Sequence, residues 1–554
     1  MKLSWFRYPP PPTNRIAIGM HRSRFKITGQ TLIWVATLYF TFGLNWALWR
    51  YFYDNVSFDN PLFCLALPVL LCLPLFLFFN LIILPKLAKP LLVVLLLLSS
   101  AANHLMYNLG VYIDRSMIRN AFETNVREAS DFFTLTGFLW VFATGIVPAI
   151  VLLMTKIEFS PARQELKKRL LSVGAVLALA GVSAALSYKD IVAVGRNHKS
   201  ARKIINTVNY IYSTVRYVQK LKKRPFTVLE ENIPAVRHQT PRVLVLIVGE
   251  TARAANFSLN GYARETNPLL EKQDIVYYKD TAACGTATAV SLPCLFSNLP
   301  RGKFDTGNAR YTENLTDFLR KAGYDVLWIE NDDGCKGVCS RIKTRDVVEE
   351  GHSRFCFKSY CWDGALLEAF ENDLTAVKQD TVIVLHTMGS HGPAYYRRYP
   401  DGFKKFAPTC DTADIQKCAK EQIVNTYDNT ILYTDFIVSS AIDVLKKFPQ
   451  FESGLIYVSD HGESLGENGV YLHGFPYAIA PDEQKNVPML LWLNRQFRER
   501  VSDYACLKKQ AAENAFSHDW VFHSVLGFTD VRSKFYDERL DLFKPCALKK
   551  GNKI

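Results

Sequence analysis

The sequence predicts two architectures in one chain: an N-terminal domain of five transmembrane helices, then an exported α/β domain with a mostly parallel sheet. Three observations predict it. Five apolar stretches lie before residue 190, each near the ~20 residues that cross a bilayer as a helix. Basic residues are unevenly shared among the loops that join them. After about Thr227 the chain alternates short Val, Ile and Leu runs with polar or amphipathic stretches, the pattern of strands joined by helical crossovers.

In chain order the predicted spans cover residues 30–50, 61–84, 90–110, 134–154 and 170–188. A Pro-rich basic tail precedes the first span and four more follow it, so a cleaved secretory peptide is not expected. The tail carries Lys2, Arg7, Arg15, Arg22, Arg24 and Lys26. The loop between spans two and three carries Lys86 and Lys89, and the loop between four and five carries Lys156, Arg163, Lys167, Lys168 and Arg169. The remaining loops hold Arg50, Arg115, Arg119 and Arg127, set among Asp54, Asp59, Asp114, Glu123, Glu128 and Asp131. The basic loops belong in the cytoplasm, so an odd number of spans exports everything after about residue 189. The expected domains are a transmembrane domain over 1–189, a basic linker over 190–229 and an exported domain over 230–554.

Cysteine usage leads to the same topology. Of the 12 cysteines, Cys64 and Cys72 lie in the second span and the others in the exported part. An even number arranged as sequence neighbours suits an oxidising compartment. The expected pairs are Cys284 with Cys294, Cys335 with Cys339, Cys356 with Cys361, Cys410 with Cys418 and, by elimination, Cys506 with Cys546. A zinc site at Cys335 and Cys339 is the alternative, but no second pair has matching spacing.

The linker segment 196–224 is basic, aromatic and roughly helical in period, with Tyr210, Tyr212 and Tyr217 among its lysines and arginines. That composition suits a helix lying on an anionic membrane surface. Much of the net charge of +14 sits here and in the cytoplasmic loops, so it points to a membrane partner. Nucleic acid is not expected, since no RNP, zinc-finger or helix-turn-helix pattern is present.

In the exported part the predicted strands are 243–248, 324–329, 382–385, 454–458 and 488–493. The polar residues that follow them bear the chemistry. The first run leads to Gly249-Glu250, the second to Glu330-Asn331-Asp332-Asp333, the third to His386 and then His391, and the fourth to Asp460-His461-Gly462, with His473 twelve residues later. In a parallel α/β sheet such tips line one crevice at the carboxyl edge. Carboxylates and imidazoles gathered there need a cation, and the mixed oxygen and nitrogen set favours zinc, with manganese also open. The loop Cys284-Gly285-Thr286-Ala287-Thr288-Ala289-Val290-Ser291-Leu292-Pro293-Cys294 places hydroxyls where a helix begins. A hydroxyl there, beside a divalent cation, can act as a nucleophile; an ordinary helix cap is the alternative.

VGETAR at 248–253, CGTATAVSLPC at 284–294, HTMGSHGPAYYRRYP at 386–400, YDNTILYTD at 427–435 and SDHGESLGENGVYLHG at 459–474 together resemble the bacterial phosphoethanolamine transferases that modify lipid A. That family belongs to the alkaline phosphatase and sulfatase superfamily and includes enzymes that confer colistin resistance. The likeness covers essentially the whole chain. It implies an alkaline phosphatase/sulfatase-like fold for the exported, periplasmic catalytic domain, anchored by a multi-pass inner-membrane domain. It also implies that Glu250, Thr288, Asp460 and His461 hold zinc, that Thr288 is the nucleophile and that Thr286 is only a neighbour. His391 and His473 match positions that bind substrate phosphate or a second zinc, and Lys336, His386 and Glu463 match other pocket positions. The family often has asparagine where this chain has Asp332, and a carboxylate there would repel phosphate unless metal-bound or protonated.

The resemblance further implies a phosphatidylethanolamine donor, a lipid A acceptor, release of diacylglycerol, a phospho-threonine intermediate and a monomer. Asn108, Asp114 and Glu123 are candidates to seat the donor. Transfer to another envelope acceptor such as core heptose, or action as a membrane-anchored phosphatase, are the rival readings. A sulfatase is disfavoured because Cys284 is followed by Gly-Thr-Ala-Thr and not by the Cys-x-Pro-x-Arg maturation motif. A transporter is disfavoured because the spans carry no buried charge cluster.

Overall fold

The computed structural model describes residues 25–56, 60–124, 126–220, 224–357 and 360–548. Of the basic tail only Lys26 falls among them, so Lys2, Arg7, Arg15, Arg22 and Arg24 lie outside the described residues. Among the described residues four helices are long and apolar enough to cross a membrane: Pro61–Ile82, Ala88–Leu109, Leu135–Met154 and Ala162–Leu186. A bent pair, Gly29–Gly43 meeting Trp46–Asn55 at 51°, is the candidate for a fifth, broken span. The break is closed by polar side chains. The Asn45 amide donates to the Phe40 carbonyl at 2.7 Å, and its Oδ1 accepts from the Asn206 backbone at 2.7 Å. Buried backbone groups freed by a helix break must find such partners.

The last span begins at Ala162, two turns before the stretch predicted from hydrophobicity. Its extra turns are basic, but Arg169 is turned inward and buried. It pairs with Glu165 at 3.2 Å and donates to the carbonyls of Asn80 and Ile83, each at 2.6 Å. It thereby satisfies carbonyls that the end of helix Pro61–Ile82 leaves open. In the linker, Tyr188–Asn197 and Val208–Lys220 are helical. Tyr210 bonds Ser99 at 3.1 Å and Tyr217 stacks on Phe122 at 5.4 Å, so only Tyr212 of the three tyrosines is exposed. The linker therefore packs back on the bundle more than a helix simply afloat on headgroups would.

The second part is built on seven strands: β1 Arg242–Gly249, β2 Val276–Tyr278, β3 Asp325–Glu330, β4 Lys343–Asp346, β5 Thr381–His386, β6 Glu452–Ser459 and β7 Met489–Leu493. Their order is β2-β7-β6-β1-β5-β3-β4, and among them only β7 runs against the rest. Both faces are covered. Leu244, Leu246 and Val248 of β1 enter one core with Trp328 and Phe522; Val243, Val245 and Ile247 enter the other with Tyr427 and Ile431 of helix Lys420–Lys446. This explains why β1 reads as an unbroken apolar run. The five interior strands fall where the sequence places them. The edge strands β2 and β4 were not predicted, because three or four residues with charged neighbours carry little periodic signal.

Disulfides join Cys284 to Cys294, Cys335 to Cys339, Cys356 to Cys361, Cys410 to Cys418 and Cys506 to Cys546, while Cys64 and Cys72 are in no disulfide. The two parts of the chain meet through an apolar seam, where Leu109 and Val111 join the core that holds Tyr427, and through polar contacts. Asp131 accepts from Arg397 at 2.9 Å and Arg398 at 2.5 Å, Thr136 donates to Asp414 at 2.9 Å, and Tyr112 lies against Phe475 at 4.6 Å.

Candidate metal centre and nucleophile

The carboxyl ends of β1, β3, β5 and β6 deliver Glu250, Asp332, His386, Asp460 and His461 to one buried place. Two local devices bring the backbones close enough. Gly389, at φ 51°, lies so near the Glu250 carbonyl that a Cβ would come within 2.5 Å of its oxygen. A Cβ on Gly462 would fall 1.9 Å from the Glu483 carbonyl oxygen. Any larger residue would push either turn away from the site.

Thr288 opens the helix Thr288–Leu295. The bridge from Cys284 to Cys294 spans that helix and its approach, and Gly285 packs so tightly that a Cβ would meet Val290 at 2.9 Å. Ser291 donates to the Asp460 carbonyl, tying the helix to the tip of β6. Thr288 Oγ1 lies 3.2 Å from Glu250 Oε2 and 3.4 Å from His461 Nε2. His461 Nε2 is 3.4 Å from Glu250 Oε1 and 3.4 Å from Asp460 Oδ2. Ligands ~2.0–2.1 Å from a tetrahedral zinc stand about 3.4 Å apart, and these four distances are of that size.

Their electrostatics fit the same ion. His461 donates Nδ1–H to the Gly462 carbonyl at 2.8 Å, which turns the Nε2 lone pair into the site. Burial, with His473 nearby, holds His461 well below the usual imidazole range and therefore neutral. Burial pushes the Asp460 carboxyl up to about 7, and Asp332 adds to the rise. Asp460 Oδ2 is buried and accepts no hydrogen bond. A cation at this point relieves both the crowding of charge and the orphaned oxygen.

The other expected site residues divide. His391 and His473 stand beside the cluster, their ring centroids 5.3 Å apart, with His473 4.5 Å from His461. Glu463 meets His473 Nδ1 at 3.4 Å. His386 joins from β5 with Nε2 3.6 Å from Asp332 Oδ2. Lys336 is tied to Asp333, through its carboxylate at 2.8 Å and its carbonyl at 2.7 Å. Thr286 donates to the Phe475 carbonyl at 2.5 Å and so braces the His473 loop. Asn108 is bonded to His104, while Glu123 joins Arg119 and Arg310 at 3.0 Å each.

Two family models match. The N-terminal one, for phosphoethanolamine transferases EptA/EptB, covers residues 71–221; the second, Sulfatase, covers residues 242–531. Phosphoethanolamine transferase EptA of Escherichia coli K12 is 41% identical over 93% of this chain and 97% of its own. The chain belongs to the phosphoethanolamine transferase family. Phosphatidylethanolamine transferase Mcr-1 of Escherichia coli is 32% identical to this transferase over 81% of the chain and 85% of its own. The solved structure of the integral membrane protein lipooligosaccharide phosphoethanolamine transferase A from Neisseria meningitidis superposes with a TM-score of 0.92 at 38% identity, covering 95% of this transferase and 100% of that chain. The sulfatase-like fold and the helical membrane region thus occur together in a relative that matches 95% of this chain.

In this transferase two supports of the site lie beyond the sequence reading: the role of Glu330, which the sequence names only as a strand tip, and His518. Glu330 accepts from His386 Nδ1 at 2.8 Å, the Asp332 backbone at 2.7 Å and Trp328 at 2.8 Å. Burial alone would raise its pKa, but His386 holds it below the usual carboxylate range; reciprocally, Glu330 overcomes burial and lifts His386 to about 9. His518 donates Nε2–H to the Ser459 carbonyl at 2.9 Å while Nδ1 accepts from Cys284 N–H at 3.2 Å. Glu330 is legible as a polar tip but its partners are not; nothing in the sequence around His518 marks it.

Proposed function

We propose that this transferase moves phosphoethanolamine from phosphatidylethanolamine to a phosphate of lipid A, with Thr288 as nucleophile and Glu250, Thr288, Asp460 and His461 as zinc ligands. The carrying observation is the placement of Thr288 Oγ1 at 3.2 Å from Glu250 and 3.4 Å from His461, at a helix start. Thr288 Oγ1 bonds to phosphorus as the bond from phosphorus to the glycerol oxygen breaks, and diacylglycerol leaves with the proton that threonine gave up. A phosphate oxygen of lipid A then attacks the phosphoethanolamine-threonine and frees Thr288. Zinc, when bound by these residues, stabilises the alkoxide and the charge that builds on the phosphoryl oxygens. His391 and His473 stand where they can contact those oxygens.

The membrane region, ending near residue 189 and followed by the linker 190–229, holds the catalytic domain at the periplasmic face of the inner membrane. Both substrates are lipids, and tethering raises their effective concentration at the site. The added amine offsets lipid A phosphate charge and weakens binding of cationic peptides such as polymyxins. Cells with and without the protein should differ by phosphoethanolamine on lipid A in mass spectra; a new adduct on core sugar alone overturns lipid A as acceptor. A phosphatase reporter fused after residue 225 should be active and one after residue 160 inactive, and the reverse result overturns the topology.

A further inference from the structure

The crevice holds more negative charge than one dication neutralises. Glu250, Glu330, Asp332 and Asp460 are all buried within it. The nearest lysine on the same loop, Lys336, is engaged by Asp333. Four carboxylates exceed the charge of one zinc ion in a place that must also admit an anionic phosphodiester.

We propose that Glu250, Asp332 and His386 form a second divalent-cation site, adjoining the first and sharing Glu250 with it. The inference deepens the functional reading above and rests on Glu250 serving the first ion. One donor atom from each of the three residues lies within 4.8 Å of the others, and all three residues are buried. His386 Nε2 and Asp332 Oδ2 stand 3.6 Å apart, the spacing of two ligands on one ion and too long for a hydrogen bond. His386 Nε2 is fully buried, makes no hydrogen bond and points into the group.

The support around it is what a metal-ligating histidine needs. One oxygen of Glu330 receives both His386 Nδ1 and the backbone N–H of Asp332, so a single carboxylate aims the imidazole and sets the carboxylate ligand beside it. Glu330 is thus a positioning residue that touches neither substrate nor ion. A carboxylate has lone pairs on both oxygens, so Glu250 can bridge two ions. Two carboxylates and one imidazole suit zinc or manganese. The site also accounts for an acidic residue, Asp332, in a pocket built to receive phosphate: bound to a cation, it no longer repels the anion.

The test is metal binding by the full-length protein in detergent, stripped of metal and reloaded with Mn2+ alone. The wild type should give an exchange-coupled electron paramagnetic resonance spectrum from a bridged pair. Asp332→Asn and His386→Gln, each checked for an unchanged melting curve, should lose one ion per chain and show only isolated-ion signals. Glu330→Gln should keep the pair but bind the second ion about ten- to hundredfold more weakly. A wild-type spectrum of isolated ions only, or a coupled spectrum that survives Asp332→Asn, overturns the second site. The reading of the first site is tested separately by Asp460→Asn: if wild type holds one ion that this variant loses and Asp332→Asn keeps, only the second site falls. If the wild type binds no ion, both fall.

Discussion

Helix Ala162–Leu186 leaves Leu166, Leu170, Leu171, Leu177, Leu179, Val182 and Leu186 exposed, whereas every residue of β1 from Arg242 to Gly249 is buried. A span satisfies its own backbone and presents apolar side chains to lipid, so little in its sequence dictates where it sits against its neighbours. A central strand is fixed by two partner strands and two cores at once. The comparison locates precision in this transferase. The crevice is held by surroundings dense enough to keep carboxylates crowded at the strand tips, while the membrane region meets it through polar contacts and an apolar seam at Leu109 and Val111. Chemistry should therefore fail through the sheet domain, and delivery of lipid through the contacts.

The strongest way to break that division is Thr288→Ala. If Thr288 is the nucleophile, transfer should fall by at least about a thousandfold while the protein stays folded, because loss of a cap alone costs only about 0.5–2 kcal/mol. Wild type with donor alone should gain a phosphoethanolamine on the peptide containing residue 288. Near-normal lipid transfer by the variant would refute the mechanism. The next largest effect sharpens the contrast: Asp131→Ala removes the acceptor for Arg397 and Arg398. It should cut transfer between lipids about tenfold or more, yet leave hydrolysis of a soluble phosphodiester within about twofold. Equal losses in both assays would show that the two regions are not separable.

Replacing Cys284 and Cys294 by serine should cost about 2–3 kcal/mol, the chain entropy of a loop of that size, measured by chemical unfolding. The smallest expected effect is pH-dependent. Burial depresses His518 to about 4, so its contribution to stability is present above the unfolded value near 6.5 and lost as pH falls toward 4. Between pH 7.5 and 5 wild type should lose about 2 kcal/mol from this group, and His518→Gln should lose measurably less over the same interval. An identical pH slope in both would remove His518 as the cause.

The parts of this molecule legible in the sequence are those whose signal is local. The interior strands, the apolar spans, and Glu250, Asp460 and His461 announce themselves because a run, a glycine and a ligand stand side by side. Thr288 is visible only as a hydroxyl in a loop of small residues, and the family resemblance is what singles it out from Thr286. Glu330 sits 56 positions from His386, and His518 lies 234 positions from Cys284, so no pattern along the chain could couple them. The start of the last span was misjudged for a related reason: hydrophobicity treats Arg169 as a solvated charge, but its partners are carbonyls on another helix.

Asn206 shows how the order of synthesis bears on the finished bundle. Its side-chain amide donates to the carbonyls of Leu44 and Ser99, and its backbone donates to Asn45. Leu44 and Asn45 stand at the bend in the first span, and the residue that closes their groups emerges some 160 positions later. During biogenesis the leading span must therefore wait in the bilayer, straight or screened by other groups, until the chain beyond the last span has crossed and folded back. The first segment inserted is among the last to acquire its final shape, and a chain released before Asn206 would offer quality-control machinery an unsealed backbone inside the membrane.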